Sequence, residues 1–354
     1  MDNIERIKKA LSGQKFKAML ITDPANRFFA TGFQSSAGAL LVTERGAWFY
    51  TDSRYIEAAG SAITNANVLQ MTDEAPYSEQ IHALLLEYGI DAVGFEERSV
   101  SYSEYLEWRK KLKVKLIRAH KLLSDLRMIK SADDLNTMKT AQRIAEKSFE
   151  EVLHLVNTDI TEKELAAELL YRFLKNGADD KSFDIIVVSG VRSSLPHGVP
   201  DDVNIGKGFL TIDFGVRLNG WCSDTTRTVC VGKPDDEMTR VYDTVLEAQE
   251  AGIKAVRAGV AGSAVDAQAR TVIEDAGFGE YFGHGFGHGI GIEVHEAPRA
   301  AKTSEDVLPE GAVISAEPGI YLPHRYGVRI EDALYITGKG CENMTNLTKK
   351  LIIL

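Results

Sequence analysis

The chain has 354 residues, of which 44% are hydrophobic and 26% are charged, and its formal net charge at pH 7 is −10. Such a length and composition indicate a globular protein with two domains and exclude a largely disordered chain. The negative charge argues against general binding of nucleic acid. The charged N-terminus lacks an apolar signal core, and no apolar run approaches the roughly 20 residues of a membrane span. We therefore expect a cytoplasmic protein that binds no membrane. Three cysteines without metal-ligand spacing argue against a disulfide framework.

Apolar runs alternate with amphipathic helical patterns in the first third of the chain, which predicts an α/β domain that ends near residue 122. The predicted strands are 18–21, 39–42, 47–50 and 92–95, and the predicted helices are 3–13, 78–88 and 102–111. We assign residues 1–125 to this domain and residues 126–354 to a second one.

The second domain is predicted to be a mixed fold in which helices flank strands. Ser131 is a candidate N-cap for a long helix that runs to about residue 156. Further helices are predicted near 162–175, 236–257 and 263–276, with a strand at 183–188.

Four acids and one histidine in this second domain form a candidate metal-ligand set, namely Asp213, Asp224, His288, Glu317 and Glu331. Each acid alone is more simply explained as a surface charge. Together they are a hard, oxygen-rich set that suits paired divalent ions such as manganese, with cobalt or zinc as alternatives.

The first two ligands are expected to meet in a hairpin. If the chain turns back about Leu218 and Asn219, Asp213 and Asp224 lie nearly opposite each other, with Cβ atoms roughly 5 Å apart. Two facing carboxylates repel, so one must be protonated or a cation must lie between them.

The other acids follow apparent buried strands. Glu317 comes after the apolar residues 312–314, and Glu331 closes the run 328–330. Strand periodicity puts Arg329 on the same face as Glu331, where a guanidinium could orient a ligand carboxylate.

Histidines are concentrated near these acids. The segment Gly-His-Gly-Phe-Gly-His-Gly-Ile-Gly at 283–291 contains too many glycines for a helix, so we expect a loop whose backbone approaches another group closely. A lone histidine is more often structural than a ligand. Here four of the eight histidines, at 197, 284, 288 and 295, cluster around the candidate ligands, which favours a catalytic or metal-binding role over a structural one.

These ordered motifs resemble the catalytic domain of the pita-bread metallopeptidases. Several features resemble the aminopeptidase P/prolidase branch in particular, namely the spacing of the histidines, Pro196-His197-Gly198, Arg329 and Tyr321. Residues 26–33 and 50–55 are similar to parts of the N-terminal domain of that branch. The resemblance implies an N-terminal creatinase/prolidase-like α/β domain followed by a pita-bread catalytic domain.

The resemblance also implies the roles of individual residues. Asp224 and Glu331 would bridge two metal ions, Asp213 would bind one ion, and His288 with Glu317 would bind the other. His197, His284, His295 and Glu317 would serve catalysis, while His197, His295, Arg299, Tyr321 and Arg329 would bind substrate. The implied substrates are short peptides with proline in second place, and the implied assembly is a homodimer.

Two substrate classes remain open within this branch. Xaa-Pro dipeptides require a cation for their free carboxylate, and Arg299 resembles the arginine that prolidases carry for that purpose. Aminopeptidase P must instead leave room for a longer chain. A methionine aminopeptidase, a metal-free creatinase-like hydrolase and a non-catalytic peptide-binding protein are weaker alternatives, because the N-terminal domain is large and the ligand set is intact.

Overall fold

The structure is a computed structural model that describes residues 2–354. The chain folds into two compact units that divide between Arg127 and Met128. Among residues 2–354, no helix is both long enough and apolar enough to cross a membrane.

The first unit is one mixed sheet with helices. Its strands are β1 Ala18–Ile21, β2 Ala39–Thr43, β3 Gly46–Thr51, β4 Asn67–Gln70, β5 Ala92–Phe95 and β6 Lys115–Arg118. Its helices are α1 Asn3–Leu11, α2 Pro24–Thr31, α3 Ile56–Ala62, α4 Tyr77–Glu87, α5 Tyr102–Leu112 and α6 His120–Met128, the last of which ends one residue beyond the unit. The strand order is β4-β3-β2-β1-β5-β6. The pairs β1–β2 and β2–β3 are antiparallel, and the pairs β1–β5, β3–β4 and β5–β6 are parallel.

The second unit has four long helices and many short strands. Its helices are α7 Ala132–Leu153, α8 Glu162–Lys175, α9 Asp236–Ala255 and α10 Gly262–Asp275. Its strands are β7 Asp180–Lys181, β8 Ile186–Ser189, β9 Gly208–Phe214, β10 Val216–Leu218, β11 Trp221–Cys222, β12 Thr225–Val231, β13 Gly287–Gly289, β14 Glu296–Ala300, β15 Val313–Ala316, β16 Gly319–Leu322, β17 Tyr326–Arg329, β18 Asp332–Ile336 and β19 Cys341–Asn343.

Two hydrophobic cores support the sheets of this unit. One sheet has the order β12-β9-β8, and a larger one has the order β14-β13-β15-β18-β19. Phe149 of α7 and Phe173 of α8 share a core with Phe214 of β9. Side chains of α9 and α10 share the other core with Ile314 of β15 and Val328 of β17. The strands that carry the candidate ligands are therefore fixed by packed helices.

Many predicted elements are confirmed. The predicted strand 18–21 coincides with β1, and the predicted helix 162–175 coincides with α8. Ser131 does cap α7, since its hydroxyl accepts a hydrogen bond from the Asp134 amide at 3.2 Å, although the helix ends at Leu153.

Other elements differ from the prediction. The strand expected at 183–188 begins at Ile186 and ends at Ser189. The helices α2, α3 and α6 and the strands β4 and β6 were not predicted. Both missed strands lie at the edges of their sheet and contain no buried residue, so their sequences lack a continuous apolar run.

The hairpin register was predicted wrongly. The chain turns at Asn219 and Gly220, whose φ angles are 48° and 81°, as a two-residue type I′ hairpin requires. Asp213 therefore pairs with Thr226 instead of Asp224. Asp213 and Asp224 still share a face, because a shift of two residues preserves the side-chain direction in a strand.

Phe214 should be critical for stability, because it is 0% exposed and its ring stacks on Phe149 with centroids 5.0 Å apart. Phe214→Ala is expected to lower the free energy of unfolding by about 3–5 kcal/mol in a urea titration. Leu174→Ala, at a residue that is 51% exposed on the neighbouring helix, should change it by no more than about 0.5 kcal/mol. Similar losses for both variants would contradict this account of the core.

Candidate metal centre

The five candidate ligands come from separate strands or strand ends of the second unit. Asp213 lies in β9, Asp224 directly precedes β12, His288 lies in β13, Glu317 directly follows β15, and Glu331 lies between β17 and β18. No helix carries any of them, in agreement with the expectation that glycines keep the histidine segment out of a helix. The expected loop is interrupted by β13, because the glycines let this backbone approach and pair with neighbouring strands.

The structure brings these side chains together. Potential ligand atoms of Asp224, His288 and Glu331 all lie within 4.8 Å of one another. The His288 Nε2 atom lies 3.7 Å from Asp224 Oδ2 and 3.1 Å from Glu317 Oε1. Asp213 is close enough for its charge to raise the pKa of Asp224 and of Glu331.

The acids cannot all ionise easily without a cation. Burial, reinforced by neighbouring carboxylates, raises the pKa of Asp224 and of Glu331 well above the ordinary range. Burial also raises the pKa of Asp213, although Arg329 opposes that shift. These directions follow from several acids sharing one desolvated site.

Two oxygens of this cluster are buried without a hydrogen-bond donor. Within the described part of the chain, Asp213 Oδ1 and Glu331 Oε1 have no partner. A buried acceptor without a donor is costly, whereas a divalent cation would satisfy both atoms. The residues present therefore fit a metal centre made mostly of oxygen ligands.

His288 presents one defined nitrogen to the cluster. Its Nδ1 atom lies 3.1 Å from the Gly289 carbonyl oxygen, which can only accept, so Nδ1 carries a proton. Nε2 then faces the acids. Burial is the largest single influence on the pKa of His288 and lowers it. The hydrogen bond and charge of Glu317, the Gly289 carbonyl and the charge of Asp213 together outweigh burial, so the pKa is raised. A metal ion bound at Nε2 would replace that second proton.

Glu317 is the strongest acid of the cluster. Burial alone would raise its pKa, but the hydrogen bond and charge of His288 lower the pKa to about 2. The Ser315 hydroxyl donates to Glu317 Oε1 at 3.0 Å and accepts from the His288 amide at 3.0 Å. The Ser315 hydroxyl thus fixes the Glu317 carboxylate relative to the backbone of His288.

Arg329 organises the side of the cluster that contains Asp213. Its Nη2 atom donates to Asp213 Oδ2 at 2.6 Å, and its Nε atom donates to the Thr226 hydroxyl at 3.1 Å. Thr226 in turn donates to Glu331 Oε2 at 2.7 Å. One guanidinium therefore orients Asp213 directly and Glu331 through a hydroxyl group.

Tyr321 continues this network. Its hydroxyl accepts from Arg329 Nη1 at 2.8 Å and lies 3.0 Å from His284 Nε2. Arg329 Nη1 also donates to the Pro196 carbonyl at 3.1 Å. Both residues are buried and hydrogen-bonded to other side chains. The bond to Asp213 agrees with the expectation that the Arg329 guanidinium orients a ligand carboxylate, whereas the substrate contacts of Arg329 and Tyr321 stay predictions.

The three remaining histidines lie around the ligands. The ring of His295 lies 4.3 Å from the ring of His288, measured between centroids. Burial lowers the pKa of His284 and of His295, and the neighbouring His197 lowers both further. His284 is half-buried, whereas His197 and His295 are exposed and accessible to a substrate.

Arg299 lies beside the same cluster. It pairs directly with His288 across β13 and β14, so the two side chains project from the same face of the sheet. The Arg299 side chain is exposed, and its charge lowers the pKa of His295, although burial and His288 act more strongly on that pKa. This placement is compatible with the predicted contact to a substrate carboxylate.

Thr226 and Ser315 are functional residues that were not predicted. Each lies two positions from a ligand in sequence, since Thr226 follows Asp224 and Ser315 precedes Glu317. Residues two apart in a strand share a face, so this spacing was the signal that could have identified them.

Comparisons with known proteins agree with this geometry. Residues 136–338 match the sequence model of metallopeptidase family M24, and residues 3–129 match that of the Creatinase/Prolidase N-terminal domain. The chain belongs to metallopeptidase family M24. Its first unit is accordingly a creatinase/prolidase N-terminal domain, and its second unit is the metallopeptidase domain.

Individual relatives cover nearly the whole chain. An Xaa-Pro dipeptidase of Pyrococcus horikoshii is 34% identical, with 99% of both chains covered. The structure of an Xaa-Pro dipeptidase from Bacillus anthracis is similar with a TM-score of 0.95, 39% identity and 99% coverage of both chains. That of an X-Pro aminopeptidase from Thermotoga maritima is similar with a TM-score of 0.91, 35% identity and 100% coverage of both chains.

Loss of Arg329 should weaken metal binding. Arg329→Gln removes the guanidinium that orients Asp213, so the affinity for Mn²⁺ should fall by roughly 10-fold to 100-fold. Isothermal titration calorimetry on the metal-free protein measures this change. Arg325→Gln is the matched control, because Arg325 pairs with Glu237 on the exposed surface. Unchanged affinity in Arg329→Gln would contradict the positioning role.

Proposed function

We propose that the chain is a dinuclear metallopeptidase that hydrolyses Xaa-Pro dipeptides. The observation that carries this proposal is the buried cluster of Asp224, His288 and Glu331, which Asp213 and Glu317 complete. The relatives named Xaa-Pro dipeptidase supply the substrate class, since they are similar along almost their entire length.

Two divalent ions, which we propose to be Mn²⁺, would be held by the five ligands. Asp224 and Glu331 would help to hold both ions, Asp213 would help to hold one, and His288 with Glu317 would help to hold the other. When bound, such ions lower the pKa of a water molecule and polarise a carbonyl group. Oxygen-dominated ligation favours manganese, with cobalt or zinc as alternatives.

The chain's own residues would manage the proton transfer. Hydrolysis adds a water oxygen to the scissile carbonyl carbon and breaks the bond to the proline nitrogen, which must gain a proton. Burial lowers the pKa of His284 and of His295, so each neutral ring would donate a hydrogen bond to the developing oxyanion or relay a proton from the attacking water to the proline nitrogen. Glu317, ionised and beside His288, would assist the transfer, and His197 would contact the substrate.

Activity should depend entirely on divalent metal. Dialysis against a chelator should abolish Xaa-Pro hydrolysis, and added Mn²⁺ should restore it, because the clustered carboxylates need a cation. Asp224→Ala should be inactive even with Mn²⁺ present. Asp184→Ala, at a side chain that is 96% exposed, is the control and should retain activity. Full activity in a preparation verified to contain no metal would refute the proposal.

Arg299 should determine the preference for dipeptides. The guanidinium can bind the free carboxylate of a dipeptide with two hydrogen bonds, a contact of roughly 1.5–3 kcal/mol. Arg299→Ala should therefore lower kcat/KM for Xaa-Pro by about one to two orders of magnitude, with a much smaller effect on Xaa-Pro-Yaa.

The control for Arg299 is Lys302→Ala, an exposed cation three residues further along the chain, which should leave both substrates unaffected. Equal losses for both substrate lengths, or a preference of the wild-type protein for tripeptides, would favour aminopeptidase P. The similarity to an X-Pro aminopeptidase makes that the second candidate function.

We also propose a homodimer. The segment 33–38 of the first unit is ordered by its own contacts, because Arg27 Nη2 donates to the Ser35 carbonyl at 2.9 Å and the Tyr55 hydroxyl lies 2.8 Å from Ser36 Oγ. A preformed loop of this kind suits a partner contact. Light scattering should give twice the mass of the chain, and a fully active monomer would exclude the dimer.

A further inference from the structure

Outside the ligand set, a buried carboxylate paired with a cationic side chain contacts each of the three other histidine-bearing loops. In each pair a carboxylate with a side chain no more than 7% exposed meets a cationic side chain at 2.7–2.9 Å. The pairs are Glu162 with Arg192, Asp266 with Arg270, and Glu296 with Lys130. None of these six residues has a role in the mechanism above.

Glu162 holds both ends of the loop that carries His197. Its Oε1 atom accepts from the Ser189 amide at 2.7 Å and from the Ser189 hydroxyl at 3.0 Å. Its Oε2 atom accepts from Arg192 Nε at 2.9 Å and from the Asp201 amide at 3.2 Å. Because Ser189 and Asp201 flank His197 in sequence, one carboxylate at the start of α8 closes this loop.

Asp266 and Arg270 of α10 hold the loop that carries His284. Arg270 Nη2 donates directly to the His284 carbonyl oxygen at 2.7 Å. Asp266 Oδ1 accepts from the Phe286 amide at 3.0 Å, and its two oxygens also accept from Arg270. The pair thus fixes the backbone on both sides of Gly285.

Glu296 and Lys130 hold the loop that carries His295. Glu296 is the next residue after His295, and its Oε1 atom accepts from Lys130 Nζ at 2.7 Å in a pair where the lysine side chain is 0% exposed. A Cβ atom built on Gly291 would lie 2.3 Å from Glu296 Oε1, so the carboxylate rests against the other arm of the same loop. Cys222 donates its amide hydrogen to the Gly291 carbonyl at 2.8 Å, which fixes that arm.

We propose that Glu162, Asp266 and Glu296 are positioning residues, each of which sets the orientation of one histidine: His197, His284 and His295 respectively. Buried ion pairs are weak contributors to stability because desolvation offsets their attraction. A loop side chain that must meet a reacting atom, however, needs a fixed backbone, and a displacement of about 1 Å can reduce the rate by 10²-fold. This inference rests on the proposed peptidase function.

Double-mutant cycles test the assignment. The isosteric variants Glu162→Gln, Asp266→Asn and Glu296→Gln remove one charge each, and kcat for an Xaa-Pro dipeptide should fall roughly 10-fold to 100-fold in each, with Mn²⁺ affinity retained. Each variant is then combined with alanine at every one of the three histidines. In a matched combination, such as Glu162→Gln with His197→Ala, the glutamine should cause no further loss.

The crossed combinations are the controls. Glu162→Gln combined with His284→Ala or His295→Ala should give losses that multiply to within about twofold, because the acid would act on a different histidine. If the losses in kcat also multiply in the matched combinations, the proposal is overturned, because each acid would then act independently of its histidine.

Hydrogen exchange on the metal-free protein gives a second readout that needs no activity. Glu162→Gln should raise amide exchange within residues 189–201 and leave residues 283–291 unchanged, while Asp266→Asn should do the reverse. If no Xaa-Pro peptide is cleaved, the proposed function fails, but local exchange still shows whether Glu162 and Asp266 fix their loops. Uniform exchange changes in all loops, or none, would refute the assignment. Should Glu162→Gln fail to fold, Arg192→Ala tests the same loop at a half-exposed residue.

Discussion

The repulsion among the buried carboxylates of the second unit is the constraint on which the site depends. Asp213, Asp224 and Glu331 all have raised pKa values, with burial as the largest cause. The surrounding residues do not neutralise the cluster, because Arg329 bonds only one Asp213 oxygen and Thr226 bonds only one Glu331 oxygen. The second carboxylate oxygen of Asp213 and that of Glu331 have no hydrogen-bond partner among residues 2–354. The chain thus orients these acids while leaving an atom of each available to a cation.

Local sequence patterns, together with the family resemblance, indicated these residues, since each lies in a strand or beside a strand end. Asp213 and Glu317 follow apolar runs, and strand parity correctly placed Asp213 and Asp224 on one face. The error in their pairing came from the turn. An Asn-Gly pair favours the positive φ angles of a type I′ turn, so centring the turn on Asn219 and Gly220 would have given the observed register.

Contacts between distant segments could not be predicted from such patterns. The bond from Lys130 to Glu296 joins residues 166 positions apart. Strand periodicity suggested that Arg329 orients a ligand carboxylate, but it did not show that this carboxylate belongs to Asp213, 116 positions away. Glu162 in particular has the appearance of an ordinary acid in the first turn of a helix, where it would favour the helix dipole. Only the fold brings Ser189, Arg192 and Asp201 to its two oxygens. The sequence thus indicated the candidate ligands and histidines more readily than the residues that fix their loops, such as Glu162.

Glycine at position 287 links the backbone to the chemistry of the ligands. A Cβ atom there would lie 2.0 Å from the Ser315 carbonyl oxygen, so only glycine allows β13 to approach β15 this closely. That approach lets the Ser315 hydroxyl contact both the His288 amide and the Glu317 carboxylate. The 3.1 Å separation between His288 Nε2 and Glu317 Oε1 therefore follows from a missing side chain one residue earlier. Gly287 thus allows two candidate ligand side chains to lie in contact.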